Sequence, residues 1–306
     1  MDARYNFIGS DGKWVALASV VGLIVLALSG PQIAGYQIVT VADNLDIIIV
    51  LDNTFSMAAN DVEPSRHDQA VKNIRDFLGG SAMRSGDRLT LFVFGNQSKW
   101  TMPLSDDVNE FRDKLFEVEQ PKDKVYTDGN QLYTNITIAL AHIPDALIRQ
   151  DNFYQTLNVP GGISWAPYKR VAFMFTDGDD SLPSLVTIRK NYDKQDISMY
   201  AVVIGTSQGA EVKVKVIDQD DPKKFNSLTI KTKASSAGLS QITSGGDKGI
   251  YLIDQTGKSA VGFMNSVVIN NRSGTPHLVK KYNPDNFWRQ VLTVCLGFIS
   301  IMILLS

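Results

Sequence analysis

Residues 45–51 read Leu-Asp-Ile-Ile-Ile-Val-Leu, an aliphatic run interrupted by one charge. The run lacks the apolar–polar alternation of a half-exposed strand, and its β-branched residues suit an extended backbone. A strand of this kind is buried on both faces, which requires a sheet with layers packed above and below it. The following chain supplies those layers. Ser65 with Asp68 forms a helix-starting capping box. Ala70, Val71, Ile74, Phe77 and Leu78 follow at helical spacing, and Gly79-Gly80 ends the helix. Arg88 to Phe94 predicts a second strand, Val108, Phe111 and Leu115 a second helix, and Ile136, Ala139, Leu140 and Ile143 a third helix stopping near Pro144. Arg170 to Thr176, Ser198 to Ile204 and Gly249 to Ile253 predict further strands, the first two separated by a helix carrying Leu185, Ile188 and Tyr192. Strands alternating with helices predict an α/β fold, a doubly wound, mostly parallel sheet covered on both faces. One section differs: Glu211 to Asp218 and Asn226 to Lys233 alternate in polarity around Asp220-Asp221-Pro222. That pattern predicts a solvent-facing hairpin inserted before the last helix–strand unit.

Composition narrows the chemistry. The chain has 306 residues, 44% hydrophobic, with a net charge of −2, which suits a folded domain and gives no electrostatic case for binding nucleic acid. The single cysteine, Cys295, forms no intramolecular disulfide and no thiolate metal site, and His67, His142 and His277 have no ligand-like spacing, against a zinc–histidine enzyme.

The two ends differ from the middle. Trp14 to Ser29 and Val291 to Leu305 carry no charge, and Trp14, Phe287 and Trp288 stand where interfacial aromatics would. Buried core helices, or a cleavable signal peptide at the first stretch, are the alternatives. The expected organisation is a tail over 1–13, a transmembrane helix over 14–30, a domain over 42–271, a linker over 272–286 and a second transmembrane helix over 287–306. Arg4 and Lys13 precede the first anchor and no Lys or Arg occurs from Trp14 through Ser65, which puts the middle domain outside the cytoplasmic membrane; Lys280, Lys281 and Arg289 argue the opposite. In a Gram-negative bacterium, outside the inner membrane means the periplasm.

Ligand sites of doubly wound sheets collect beyond the carboxyl ends of the strands. Asp52-Asn53-Thr54-Phe55-Ser56 follows the first strand in D-x-T-x-S spacing, Thr134 opens the third helix, and Thr176-Asp177-Gly178-Asp179-Asp180 follows another strand. The oxygens of Asp52, Thr54, Ser56, Thr134 and Asp177 suit a hard cation such as Mg2+, or Mn2+ or Ca2+. Hydroxyls binding directly and carboxylates through water would leave the ion with positive charge that attracts a partner's carboxylate. A lone D-x-T-x-S is weak evidence, since these residue types ordinarily make turns and caps; the three loops together are stronger.

In that order, LDIIIVLDNTFSM, YTNITIAL and FMFTDGDD resemble the metal-ion-dependent adhesion site (MIDAS) of von Willebrand factor A (VWA) domains, over roughly residues 42–271. SMAANDVEPSRHDQAVKNIRDFL, GDRLTLFVFG with MPLSDD, and VVIGTSQGAEV look most like the membrane-anchored, aerotolerance-type (BatA/BatB-like) VWA proteins. The resemblance implies a VWA/Rossmann-like fold and a metal site of Asp52, Thr54, Ser56, Thr134 and Asp177. It further implies a scaffold or chaperone-like role with a MoxR-type AAA+ ATPase and other membrane VWA proteins, in envelope or metalloenzyme assembly or stress tolerance. Thr54 stands where Ser is commoner, and Phe55 where many relatives have Gly. Phe55, Asn53 and Asp179 are the candidates for partner contact. The favoured reading is a non-enzymatic interaction module whose partner donates Asp or Glu to the metal. Two others stay open: a haloacid-dehalogenase-like phosphotransferase with Asp52 as nucleophile, although Lys169 and Arg170 lie at the wrong end of their strand, and a metal-free structural domain.

Overall fold

The computed structural model describes residues 36–42, 44–127, 132, 134–156, 168–178, 185–218, 221, 223–272 and 276–282. The tail over 1–13, the two expected transmembrane segments, and Asp179 with Asp180 lie outside the described residues. Among the described residues no helix is long and apolar enough to cross a membrane.

The chain divides into two units, 41–277 and the two ends, 1–40 with 278–306. In the described part of the ends, β1 (Tyr36–Ala42) pairs with β11 (Pro276–Tyr282) in a two-stranded sheet. A strand therefore runs through the stretch read as a linker, over Pro276-His-Leu-Val-Lys-Lys-Tyr282, which shows no polarity alternation and is flanked in sequence by Gly and Pro residues.

The larger unit is built on β2 (Leu45–Asp52), β3 (Arg88–Phe94), β4 (Ser98–Ser105), β6 (Lys169–Thr176), β7 (Ile197–Ile204) and β10 (Ile250–Ile253), in the order β10-β7-β6-β2-β3-β4. All neighbouring pairs are parallel except β3–β4, so the sheet is mostly parallel with an antiparallel edge. Every residue of β2 is buried, as its aliphatic run requires. Ile47, Ile49 and Leu51 point to one core, where α1 (Arg66–Leu78), α2 (Val108–Phe116) and α5 (Val261–Asn271) pack through Ile74, Phe77, Phe111 and Met264. Ile48 and Val50 point to the other, against α3 (Ile136–Thr156) and α4 (Val186–Lys194) through Leu140, Ile143 and Tyr192. The single charge in the run, Asp46, is matched by Arg88, whose guanidinium forks onto it at 2.7 and 2.9 Å.

The predicted hairpin is present as antiparallel β8 (Ala210–Ile217) and β9 (Phe225–Thr232), joined on one side by the short β5 (Val125–Tyr126). It is not wholly solvent-facing: Val212 and Val214 are buried in a small cluster with Ala59 and Tyr126, against which Phe55 packs.

Two expectations fail on tertiary grounds. α3 does not stop near Pro144 but runs 21 residues to Thr156. Proline removes one helix hydrogen bond. Ala146 and Leu147 continue the buried face of Ile143, and the Gln150 amide bonds both the Leu104 N–H (3.1 Å) and C=O (3.2 Å). β4 was not expected because Ser-Lys-Trp-Thr-Met-Pro-Leu-Ser has no apolar run. As an irregular edge strand it needs none.

Candidate metal-ion and partner-binding site

β2 and β6 are neighbours, and β2 is also the strand from which the chain order turns to both sides. Their carboxyl ends therefore form a topological switch point, the expected place for a ligand. Asp52 ends β2 and is fully buried. Its Oδ1 accepts from the Thr54 N–H (3.0 Å) and hydroxyl (2.7 Å), and its Oδ2 from the Thr176 hydroxyl (2.6 Å). Thr54 Oγ1 also lies 2.9 Å from Ser56 Oγ. Since the Thr54 proton goes to Asp52, Ser56 is the donor in that contact. Burial, and then the charge of Asp177, push the Asp52 carboxyl up to about 7, against the hydrogen bonds from Thr176 and Thr54.

Asp177 follows β6 and is fully buried. Its Oδ2 takes a 2.7 Å ion pair from Arg66 Nη1. Arg66, the first residue of α1, has a side chain with no solvent exposure. It also forks onto Asp61 with both bonds at 2.8 Å, and reaches Ser56 O at 3.3 Å and Thr232 Oγ1 at 3.2 Å. Asp61 in turn accepts from the Thr206 N–H and hydroxyl. One guanidinium thus ties together the D-x-T-x-S loop, the Thr-Asp-Gly loop and the hairpin. Space for it comes from Gly205 (φ 130°), where a β-carbon would lie 2.5 Å from Arg66 Nε. Gly178 (φ 68°) is equally constrained, its β-carbon position lying 2.0 Å from Ser235 O.

Thr134 is partly exposed just before α3. The next residue, Asn135, donates its N–H to Gly95 O at 3.0 Å, and a β-carbon on Gly95 would stand 3.7 Å from the Thr54 methyl. Thr134 is thus brought to the same strand ends, but its hydroxyl makes no hydrogen bond to Thr54 or Ser56. Of the partner-contact candidates, Asn53 is buried, 6% exposed, and donates Nδ2 to Glu119 O at 3.0 Å. Phe55 is half-buried against the hairpin cluster.

Sequence reasoning missed Arg66, Lys124 and Tyr126, and placed Thr176 in its loop without giving it a role. For Arg66 a signal existed: a cation at the first helical position opposes the helix dipole, so something other than the helix must favour it there. Lys124 and Tyr126 follow the second predicted strand end, at Phe94, by too many residues for spacing alone to place them. Lys124 Nζ bonds Asn53 O at 2.7 Å.

The donor set is all oxygen and fits a hard divalent ion. Neighbouring oxygens of an octahedral Mg2+ shell at about 2.1 Å lie roughly 3 Å apart, close to the 2.9 Å between Thr54 and Ser56. Among the described residues no three His, Cys, Asp or Glu side chains cluster for a metal, so an ion here depends on hydroxyls beside the two carboxylates.

Residues 47–179 match the von Willebrand factor type A domain family. Over these residues the chain is similar to a VWA domain. A protein of Borreliella burgdorferi described as uncharacterized is 30% identical over 136 residues, 43% of this chain. The chain spans 36% of the length of that curated relative. Two solved structures share the fold. The conserved hypothetical protein BatB of Bacteroides thetaiotaomicron is 20% identical with a TM-score of 0.55, over 74% of this chain and 98% of that one. An aerotolerance-related membrane protein of Bacteroides fragilis is 21% identical with a TM-score of 0.54, over 74% of this chain and 100% of that one.

Proposed function

We propose that this chain is a membrane-anchored interaction module that binds a partner's carboxylate through a divalent ion held by Asp52, Thr54, Ser56, Thr134 and Asp177. The observation that carries the reading is the contiguous Asp52–Thr54–Ser56 oxygen cluster, with 2.7 and 2.9 Å contacts, at the switch point of the sheet. The ion, Mg2+ or a similar hard cation, supplies Lewis acidity. The chain's own residues set how much of that charge is left over. Asp177 is shared with the Arg66 guanidinium, so it offsets less of an ion's charge than a free carboxylate would. The remaining charge favours an anionic visitor.

The phosphotransferase reading asks Asp52 to act as a nucleophile. Both its oxygens already accept hydrogen bonds and the residue has no exposed surface, which speaks for a holding role. The similar B. fragilis protein's description as an aerotolerance-related membrane protein, with the two charge-free end segments, supports a membrane location, and the charges of Arg4 and Lys13 before the first segment favour the domain outside the inner membrane, in the periplasm. A scaffold or chaperone-like role beside a MoxR-type AAA+ ATPase and other membrane VWA proteins is the cellular setting that fits such a module.

The test is binding of a terminally blocked glutamate peptide to the full-length chain. Binding in Mg2+, release by chelator and loss in Asp52→Ala are expected; chelator-insensitive binding, or none, would overturn the reading.

A further inference from the structure

Arg66 is a costly residue to bury. Its side chain has no solvent exposure, and it opens α1, where its charge opposes the helix dipole. It also needs a glycine beside it, since a β-carbon on Gly205 would stand 2.5 Å from its Nε. The Coulomb attraction within a buried ion pair repays the desolvation poorly, so stability alone is a weak reason for such a residue. The guanidinium fills an all-oxygen nook. Its Nη1 faces Asp177 Oδ2 at 2.7 Å, Thr232 Oγ1 at 3.2 Å and Ser56 O at 3.3 Å, while Nε and Nη2 fork onto Asp61. Ser56 and Asp177 both belong to the proposed ion site. On the far side Asp61 is held by the Thr206 N–H (2.8 Å) and hydroxyl (2.9 Å), which fixes the fork in place. The side chains of Asp61 and Asp177 are 4% and 0% exposed, so water and salt screen these charges little.

We infer that Arg66 is a positioning residue that acts as the fixed second cation of the site, weakening its hold on the divalent ion and strengthening the loaded ion's hold on a carboxylate. The inference rests on the ion-dependent reading and adds its regulation: a trade between two affinities, set by the charge balance of Arg66 and Asp61. Of the carboxylates Asp52, Asp61 and Asp177, the guanidinium offsets one. A divalent ion then meets two negative charges instead of three, and the loaded site shows a visiting Asp or Glu no net negative charge. Asp61 tunes the same balance with the opposite sign, because its hydrogen bonds go to Arg66 and Thr206 and not to the oxygen cluster.

The test measures two affinities on the full-length chain at pH 8: Mn2+ by electron paramagnetic resonance, and blocked Gly-Glu-Gly on the Mn2+-saturated chain by calorimetry. Arg66→Gln should bind Mn2+ about tenfold more tightly and the peptide about tenfold more weakly. Asp61→Asn should move both by about threefold in the reverse directions, Mn2+ weaker and peptide tighter. A merely structural role would instead lower both affinities together. Asp61→Asn keeps an acceptor for Arg66 and Thr206, so it decides the matter if circular dichroism shows Arg66→Gln unfolded. The two affinities moving in the same direction, or not at all, in either folded variant would overturn the role of Arg66. A wild type that takes up no Mn2+, binds no peptide when loaded, or binds it equally in chelator would overturn the ion-dependent reading and this inference with it.

Discussion

Asp52 carries the largest electrostatic tension in the site. Its native carboxyl is raised from 3.8 to about 7, so the folded chain holds this proton more tightly than the unfolded chain. The resulting stabilisation is complete below about pH 4 and is lost as pH rises through 7. His67 acts with the opposite sign: burial lowers it from 6.5 to about 4, so its neutral ring favours folding above 6.5 and costs stability as pH falls. The Asp52 contribution is therefore isolated by difference. Urea unfolding of wild type and Asp52→Asn without divalent ions should show the wild type losing stability relative to the variant from pH 5 to pH 8, by a few kcal/mol. Adding Mg2+ at pH 8 should restore the wild type and leave the variant unchanged. At this scale the sequence was partly legible. Asp52, Thr54 and Ser56, which the structure brings into contact, stood out by their spacing after a strand, but Arg66 looked like an ordinary polar residue behind the Ser65 cap. Its partners, Asp61, Asp177 and Thr232, come from distant segments that only the fold brings together.

Elements were legible where one face or both were apolar. β2, β3, β6, β7 and α1 follow their aliphatic patterns to within a residue or so, since burial on both sides of a parallel sheet leaves few choices. The edge strand β4 and the two-residue β5 carry no such pattern, and their pairing comes from neighbours. The length of α3 was hidden by Pro144, whose lost hydrogen bond is offset by the apolar face beyond it and by Gln150 clamping β4. Gln150→Leu should accordingly destabilise the domain by about 2 kcal/mol or more, because it leaves the buried Leu104 N–H and C=O unpaired. Urea melts monitored by tryptophan fluorescence, with Trp100 on β4, would measure it. A neutral result would mean α3 is held past Pro144 by its apolar face alone.

For the whole molecule, the proposed reading joins the VWA-like domain to the charge-free end segments as an ion site presented on an anchor. The chain should stay with the membrane fraction after an alkaline carbonate wash, and a reporter placed within Ser235–Gly245 should be active outside the cytoplasm; release by carbonate, or activity only inside, would refute the anchored arrangement. The proposed site would draw on β2, β6, the loop before α3 and the start of α1, so it would exist only when the full sheet has formed. The proposed function rests on one property, the capture of a divalent ion by oxygens from separate loops. Titrating Mn2+ into the full-length chain and following free Mn2+ by electron paramagnetic resonance reads that property directly. The account predicts one saturable site that is lost in Ser56→Ala and weakened in Thr134→Ala; no uptake, or uptake indifferent to both substitutions, would contradict it.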